Sequence, residues 1–376
     1  MKILVQKTDL VAALKTADEF TIKGATTRAL GCVMVEAKDG AIRVVGNSLG
    51  AGVRASVDGQ ILESGAVGFE PKPVIAALKT AHTGIVRIET TDIDESQVRI
   101  SFGQTKIEIS GVRAGEFPAW LDSSTDATAY IIDSGSLVKA FLATISATDK
   151  GTQRPILYSV HLEIDGNDAV AVANDGRRMH TVRFETRHCS SFSKTAVNIQ
   201  VCDAKFLAKF FAKTNINIRV VVDEKGIYVT SGAIDLYSRG NKGEYPDWKK
   251  VWPTDEQMES DPVVLRSDDM LAALERVQAL KIETVGFGFE NESLVLRAEK
   301  SSEEGGECKI VQTVPAEQNG RMLDGTYFVP EHLILAIRAS GTPEVFVRRT
   351  GDNGPILVSG TNFREKFHAL VMPKRI

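Results

Sequence analysis

Lys205, Lys209 and Lys213 recur every four residues, and Phe206, Leu207, Phe210 and Phe211 gather on nearly the opposite side of a helix drawn over residues 203–213. Ammonium groups aligned in this way can meet the phosphates of a polyanion, while the aromatic face goes to a core. A related stretch places Lys72 and Lys79 seven residues apart, with Val74, Ile75 and Leu78 turned away from them. In a third such stretch Glu331 partly offsets Arg338. Each stripe taken alone also reads as an ordinary solvated surface. Catalytic chemistry finds no comparable pattern. The sequence has no Walker A loop and no nucleophile elbow, and its six histidines (82, 161, 180, 188, 332, 368) are dispersed. His188 and Cys189 lack a third ligand in local spacing, and the four cysteines (32, 189, 202, 308) fit neither a zinc ribbon nor a disulfide framework, so they are expected to be reduced and buried. No catalytic residue, metal or cofactor is expected.

The elements that must carry these lysines recur three times. Residues 3–14 (ILVQKTDLVAAL), 130–141 (YIIDSGSLVKAF) and 263–274 (VVLRSDDMLAAL) align without gaps, each an apolar strand, a polar turn and the start of an amphipathic helix. Their anchors are Leu10, Leu137 and Met270, then Leu14, Phe141 and Leu274, four residues on and so on the same helix face. Asp9, Ser136 and Asp269 stand just ahead, where capping or dipole-favoured residues belong. A second helix follows in each unit, at 69–78, 201–210 and 328–337, with Pro71 and Pro330 near two of the starts. Gly115-Glu116-Phe117-Pro118-Ala119-Trp120 is echoed by Gly243-Glu244-Tyr245-Pro246-Asp247-Trp248. The period is about 130 residues.

Between the helices, alternating runs at 41–45, 86–89, 107–109, 218–221 and 294–296 read as half-buried strands, with turns at Lys38-Asp39-Gly40, Ile164-Asp165-Gly166 and Asp175-Gly176. The expected class is α+β: three tandem domains at 1–127, 128–256 and 257–376, each an antiparallel sheet with two helices on one face. A chain of 376 residues that is 43% hydrophobic has ample core for this. Residues 1–10 contain Lys2 and Lys7 and no apolar run of signal-peptide length, and no later stretch reaches membrane-spanning length. The expectation is a cytoplasmic protein without a membrane partner. A net charge of −4 speaks against a tight whole-surface nucleic-acid binder, so any contact with DNA must use local basic faces. A closed ring suits that balance, because it holds duplex DNA by topology and needs only weak phosphate contacts.

Four segments make the pattern specific: Arg154-Pro155-Ile156-Leu157, the run from Val172 through Asn174-Asp175-Gly176-Arg177-Arg178 to Met179, Tyr245-Pro246-Asp247-Trp248-Lys249-Lys250-Val251, and the terminal Val371-Met372-Pro373-Lys374-Arg375-Ile376. In this order, across the whole chain, they resemble the DNA polymerase III beta sliding clamp family. The resemblance implies a head-to-tail homodimer, a six-domain ring whose inner face carries the helices and encircles double-stranded DNA irrespective of its sequence. It implies a processivity factor, with neither catalysis nor cofactor. It further implies a pocket for short peptides of the polymerase III catalytic subunit, the clamp loader and other clamp-motif proteins. By position the pocket maps to Leu157, Asn174, Gly176, Arg177, Arg178, Met179, Pro246, Lys250, Val251, Leu370, Val371, Met372, Pro373, Lys374, Arg375 and Ile376. Leu, Val, Met and Pro can repack around varied apolar anchors, and the arginines can pair with acidic or backbone groups. The dimer edge maps to Ile107 and Ile109, with Leu280 opposite.

DNA contact is expected at Lys72, Lys79, Lys205, Lys209 and Lys213, and at Lys150, Gln153 and Arg154 by the resemblance. The chain departs from the family pattern where Asn174-Asp175-Gly176-Arg177-Arg178-Met179 replaces Thr-Asp-Gly-His-Arg-Leu, where Lys250 replaces a frequent arginine, at Lys374, and where Pro155-Ile156 replaces an aromatic pair. These changes bear on peptide preference and on DNA contact. Two plainer readings stand beside the site: Asn174-Asp175-Gly176 as a hairpin turn, and the terminal run as a last strand with a frayed tail. At the level of the whole chain, a peptide-binding scaffold related to the clamps and a repeat-built nucleic-acid enzyme are the rivals.

Overall fold

The computed structural model describes residues 1–82, 84–91, 97–125, 127–148, 154–188, 194–254, 256, 262–291, 293–301, 307–317, 326–350, 354–360 and 366–374. In chain order the first stretch runs β1 (Lys2–Gln6), α1 (Lys7–Asp18), β2 (Val33–Lys38), β3 (Ala41–Asn47), β4 (Ala51–Val57), β5 (Gly59–Glu63), β6 (Gly65–Phe69), α2 (Pro71–Thr80), β7 (Ile85–Thr90), β8 (Gln97–Phe102), β9 (Thr105–Ser110) and β10 (Val112–Arg113). The second runs β11 (Ala129–Asp133), α3 (Ser134–Ile145), β12 (Ser159–Asp165), β13 (Asp168–Asn174), β14 (Arg178–His188), β15 (Thr195–Gln200), α4 (Val201–Phe211), β16 (Asn217–Asp223), β17 (Gly226–Ser231) and β18 (Ile234–Arg239). The third runs β19 (Val263–Arg266), α5 (Ser267–Ala279), β20 (Val285–Glu290), β21 (Ser293–Ser301), β22 (Glu307–Glu317), β23 (Thr326–Phe328), α6 (Pro330–Ser340), β24 (Glu344–Arg349), β25 (Ile356–Gly360) and β26 (Lys366–Val371). These elements form two compact units, Met1–Ala129 with Ile218–Gly240, and Tyr130–Asn217 with Asn241–Ile376.

In the first unit, β5, β1, β7, β8 and β9 form an antiparallel sheet whose last strand pairs only with β8 among the described residues. A second sheet runs β10-β6-β2-β3-β4-β18-β17-β16. The β2–β3 turn has Asp39 at φ 52° and Gly40 at φ 75°, the left-handed pair that a tight hairpin requires. Leu10, Leu14 and Ala17 bury one stripe of α1, and Val74, Ile75 and Leu78 bury one stripe of α2. Lys72 and Lys79 lie exposed on the other side, and Pro71 opens α2, where a missing N–H costs no helical bond. Asp9 lies in the first turn of α1 without capping it, a place the helix dipole favours.

In the second unit a long antiparallel sheet runs β15-β12-β13-β14-β26-β25-β24-β19, and β23-β20-β21-β22 join it where β22 meets β19. The two later strand-to-helix repeats are β11 with α3 and β19 with α5, and their partner helices α4 and α6 pack beside them. Asp133, not Ser136, supplies the α3 cap: its carboxylate accepts the Ser136 N–H at 2.9 Å. Asp269 lies in the first turn of α5, as Asp9 does in α1. Gly341 at φ 62° closes α6 in the left-handed geometry that lets a chain leave a helix.

Two sequence expectations need correction. Helix α4 buries Leu207 and Phe211 but leaves Phe206 and Phe210 half-exposed, stacked on each other at 5.9 Å, and it ends before Lys213. A one-layer helix has room to sink one edge of its apolar face, and the wider aromatic stripe spills over the side. Cys32 is buried, but Cys202 and Cys308 are exposed, on the solvent side of α4 and on the outer half of β22, and Cys189 lies outside the described residues. Among the described residues no helix is long and apolar enough to cross a membrane, and no group of three or more His, Cys, Asp or Glu side chains is placed to hold a metal.

Candidate functional site

Strands β13 and β14 present the site through a short turn. The Asp175 carboxylate accepts the backbone N–H groups of Arg177 and Arg178, both at 2.9 Å, and Gly176 takes φ 83°. The Arg178 guanidinium folds back on Asp175 at 3.0 Å, and both side chains are nearly withdrawn from water. The register then sets Asn174 beside Met179, and β14 pairs with β26 so that Met179 faces Leu370. Met372 is held to this seam by its N–H on the Arg177 carbonyl at 2.9 Å. Two short turns close the wall: residues 155–157 bring Leu157, and residues 248–251, started by Asp247, bring Trp248 and Val251.

The result is a cavity of about 280 Å³ lined by Arg154, Leu157, Asn174, Gly176, Arg178, Met179, Pro246, Asp247, Trp248, Val251, Leu370 and Met372. Its floor is a cluster of Val170, Val172, Met179, Tyr245, Trp248, Leu357 and Leu370, with Ile156 and Trp252 packed against it. At the rim Val251 is 61% exposed and Met372 42%, apolar surface that a partner would remove from water. A pocket of this kind, apolar with a few fixed polar groups, takes small side chains of an extended peptide.

Nine of the residues expected here meet in the cavity, and the other described ones do not line it. Val371 is fully buried behind it. Arg177 and Lys374 border a separate depression with Ile282 and Pro330, and the Lys374 ammonium reaches Glu283 at 2.9 Å. Lys250 pairs with Asp247 at 3.5 Å on the surface, Pro373 is half-buried, and Arg375 and Ile376 lie outside the described residues. Asp247 and Trp248 were not expected, although both stand inside the Tyr245–Val251 block that marked the site. Arg154, read as a DNA contact, lies on the pocket wall.

Behind the wall, Glu163 on β12 is the polar hub. Its Oε1 accepts the Trp248 indole N–H at 2.8 Å and its Oε2 accepts Lys249 Nζ at 2.7 Å. Burial raises this carboxyl, but the bonds from Lys249 and Trp248 and the Lys249 charge outweigh it and hold it at about 2. Tyr245 stacks flat on His161 with centroids 4.6 Å apart, and burial pushes its phenol above the usual range. The same phenol oxygen accepts both the N–H and the side-chain amide of Asn174, at 3.1 and 3.0 Å. On the seam, burial lowers the His180 and His368 imidazoles to about 4 each.

The first unit contains the same framework in a filled form. Asn47 and Gly52 are paired across β3 and β4 as Asn174 and Met179 are across β13 and β14, and Gly52 faces Tyr237 as Met179 faces Leu370. Here the Tyr237 ring packs edge-on against Trp120 at 4.7 Å, its hydroxyl donates to Asn47 Oδ1 at 2.9 Å, and the Arg54 guanidinium covers Trp120 at 4.1 Å. A Cβ on Gly52 would meet Tyr237 Cε1 at 2.5 Å, so only glycine leaves room for the ring.

The remaining expected positions are dispersed. Lys205 and Lys209 are exposed on α4, and Lys213 is exposed beyond its end. In the third repeat Arg338 is bonded to Glu275 at 2.7 Å. Lys150 and Gln153 lie outside the described residues. Ile107 and Ile109 are half-buried on β9, which among the described residues pairs only with β8, and Leu280 is 42% exposed after α5.

No family model matches the chain. The beta sliding clamp of Synechococcus elongatus is 23% identical over 385 residues, covering 99% of each chain. Among solved structures, the DNA polymerase sliding clamp of Bacillus subtilis superposes with a TM-score of 0.84 at 21% identity, over 100% of this chain and 99% of that one. The DNA polymerase III subunit beta of Pseudomonas aeruginosa superposes with a TM-score of 0.84 at 18% identity over the whole of both. The fold is therefore that of the DNA sliding clamps. In sequence, too, the chain is similar over 99% of its length to a bacterial beta sliding clamp.

Proposed function

We propose that the chain is a sliding clamp of the DNA polymerase III beta type, a processivity factor and not an enzyme. Three modules, at residues 1–127, 128–256 and 257–376, close with those of a second copy into a head-to-tail ring around duplex DNA. The observation that carries the reading is the pocket at the β14–β26 seam, within a chain that matches beta clamps from end to end in sequence and fold. Into it dock short segments of the polymerase III catalytic subunit, the clamp loader and other clamp-motif proteins. The edge of β9 that pairs with no other described strand, with Ile107 and Ile109, gives one side of the ring joint. On the third module the side of β22 not bonded to β21 pairs, among the described residues, only at Ala316 and Glu317, and Leu280 adds exposed apolar surface. Lysines 72, 79, 205, 209 and 213 supply weak phosphate contacts along a sliding path, with Arg154, Lys150 and Gln153 as further contacts. The working compartment is the cytoplasm.

The test uses nicked circular DNA. A clamp loaded onto the circle stays bound through gel filtration and is released when the circle is cut once; retention on the linear product refutes encirclement. Deleting residues 372–376 should leave the dimer intact and abolish capture of clamp-motif peptides, and unchanged peptide affinity removes the pocket assignment.

A further inference from the structure

We infer that Glu163 is the residue that positions the peptide pocket, fixing two of its lining side chains from behind, one directly and one through a stacked relay. It lies on β12 and does not line the cavity. Its carboxylate accepts the Trp248 indole N–H at 2.8 Å and the Lys249 ammonium at 2.7 Å, which anchors both ends of the first step of the 248–251 turn. That turn carries Trp248 and Val251 into the pocket wall. The second route starts at the same oxygen. Oε1 lies 3.2 Å from His161 Nε2, and the other ring nitrogen of His161 lies 2.7 Å from Asn198 Oδ1; both partners accept, so the ring donates to one of them when neutral and to both when it carries two protons. The ring stacks on Tyr245 with planes 8° apart, and the Tyr245 oxygen fixes Asn174, which lines the opposite wall.

The chemistry favours this hub over alternatives. An indole N–H needs an acceptor when buried, and Trp248 is only 4% exposed. A carboxylate accepts more strongly than a carbonyl, and it can take Trp248, Lys249 and His161 at once, with Lys194 at 3.9 Å as a further cation. With the hub lost, the Trp248 indole must turn toward water, into the space the guest peptide would use. Positioning of this kind acts on affinity without touching the guest.

The inference rests on the peptide-pocket reading, and the test separates the two. The probe is a fluorescein-labelled hexapeptide with one leucine and one phenylalanine anchor, measured by anisotropy on the full-length chain. Glu163→Gln keeps an acceptor for the indole and loses the ion pair; Glu163→Leu loses both. The expected result is an affinity about tenfold weaker for E163L and within about threefold of the parent for E163Q. A spectroscopic signature accompanies it. With 5-fluorotryptophan in the three tryptophan positions, the resonance lost in Trp248→Phe should move in E163L and stay near its place in E163Q. If E163L fails to fold, Glu163→Ala, which also removes the acceptor of the indole, is measured with and without Trp248→Phe. Coupling between positions 163 and 248 supports the inference, and strict additivity overturns it. Equal peptide affinity in the parent and E163L overturns this inference alone. No binding of the probe by the parent overturns it together with the pocket reading.

Discussion

Acidification from pH 7 to pH 5 should strike the seam on which the pocket is built. His180 and His368 sit on β14 and β26, opposite Ala369 and Thr181, in the same ladder that pairs Met179 with Leu370. Burial is the chief cause that lowers both imidazoles from an ordinary 6.5 to about 4, and nearby arginines, with Lys366 at His368, act in the same direction. His180 is enclosed, its Nδ1 2.9 Å from the Ala143 carbonyl and its ring edge-on to Phe367 at 5.5 Å. The folded chain thus keeps both rings neutral at pH values where the unfolded chain has protonated them. Their contribution is complete above about 6.5 and is lost as pH falls toward 4. Between pH 7 and 5 each ring costs about 2 kcal/mol, and the pair about 4 kcal/mol, a large share of the stability of an ordinary domain. The buried His332, lowered for the same reason, adds in the same direction. Glu163 adds little in that interval, since, held at about 2, it gives up its contribution only below about 4.5. The assay is urea unfolding at fixed protein concentration, with the midpoint followed from pH 7 to pH 5. A midpoint that does not fall, or a His180→Gln/His368→Gln variant with the parent's acid slope, would refute the reasoning.

Other outcomes follow from single contacts. Gly52→Ala should destabilise by about 1–3 kcal/mol, because the added methyl meets the Tyr237 ring at 2.5 Å, and thermal unfolding will read it. Asp133→Ala should cost about 1 kcal/mol by uncapping α3, without changing peptide affinity. Leu14→Ala, at a fully buried helix anchor, should cost about 2–5 kcal/mol in the same measurement. Lys205→Ala with Lys209→Ala should leave peptide capture intact and flatten the dependence of log K for duplex DNA on log salt by roughly 2 per chain. An unchanged slope would remove these lysines from the DNA-facing surface.

Much of the architecture was legible because it depends on local periodicity. The strand-to-helix starts at β1, β11 and β19 have anchors four residues apart that alternate chemistry predicts and burial bears out: Leu10 with Leu14, Leu137 with Phe141, Met270 with Leu274. Depth of burial was less legible. Phe206 and Phe210 have the right period, but how far a helix sinks depends on the sheet beneath it, which no window of residues contains. Pairings distant in sequence were hidden for the same reason. Strands β16 to β18 group with the first unit through β18 and β4, and the Tyr237 bond to Asn47 spans 190 positions. At the site, the turn chemistry of Asp175-Gly176 and the Tyr245–Val251 block were visible as text. Trp248 as a wall and Glu163 as its support were not, since that bond joins residues 85 apart.

The filling of one framework by Tyr237 limits how much traffic a chain can carry. The same strand register occurs twice, and in the first unit the chain's own phenol fills it, so on the proposed reading each copy offers one berth to a guest. In the proposed clamp, partners that follow one another on DNA would then queue for that berth and displace each other. The order in which they work becomes a matter of relative grip and abundance, decided in part by a glycine too small to keep a tyrosine out.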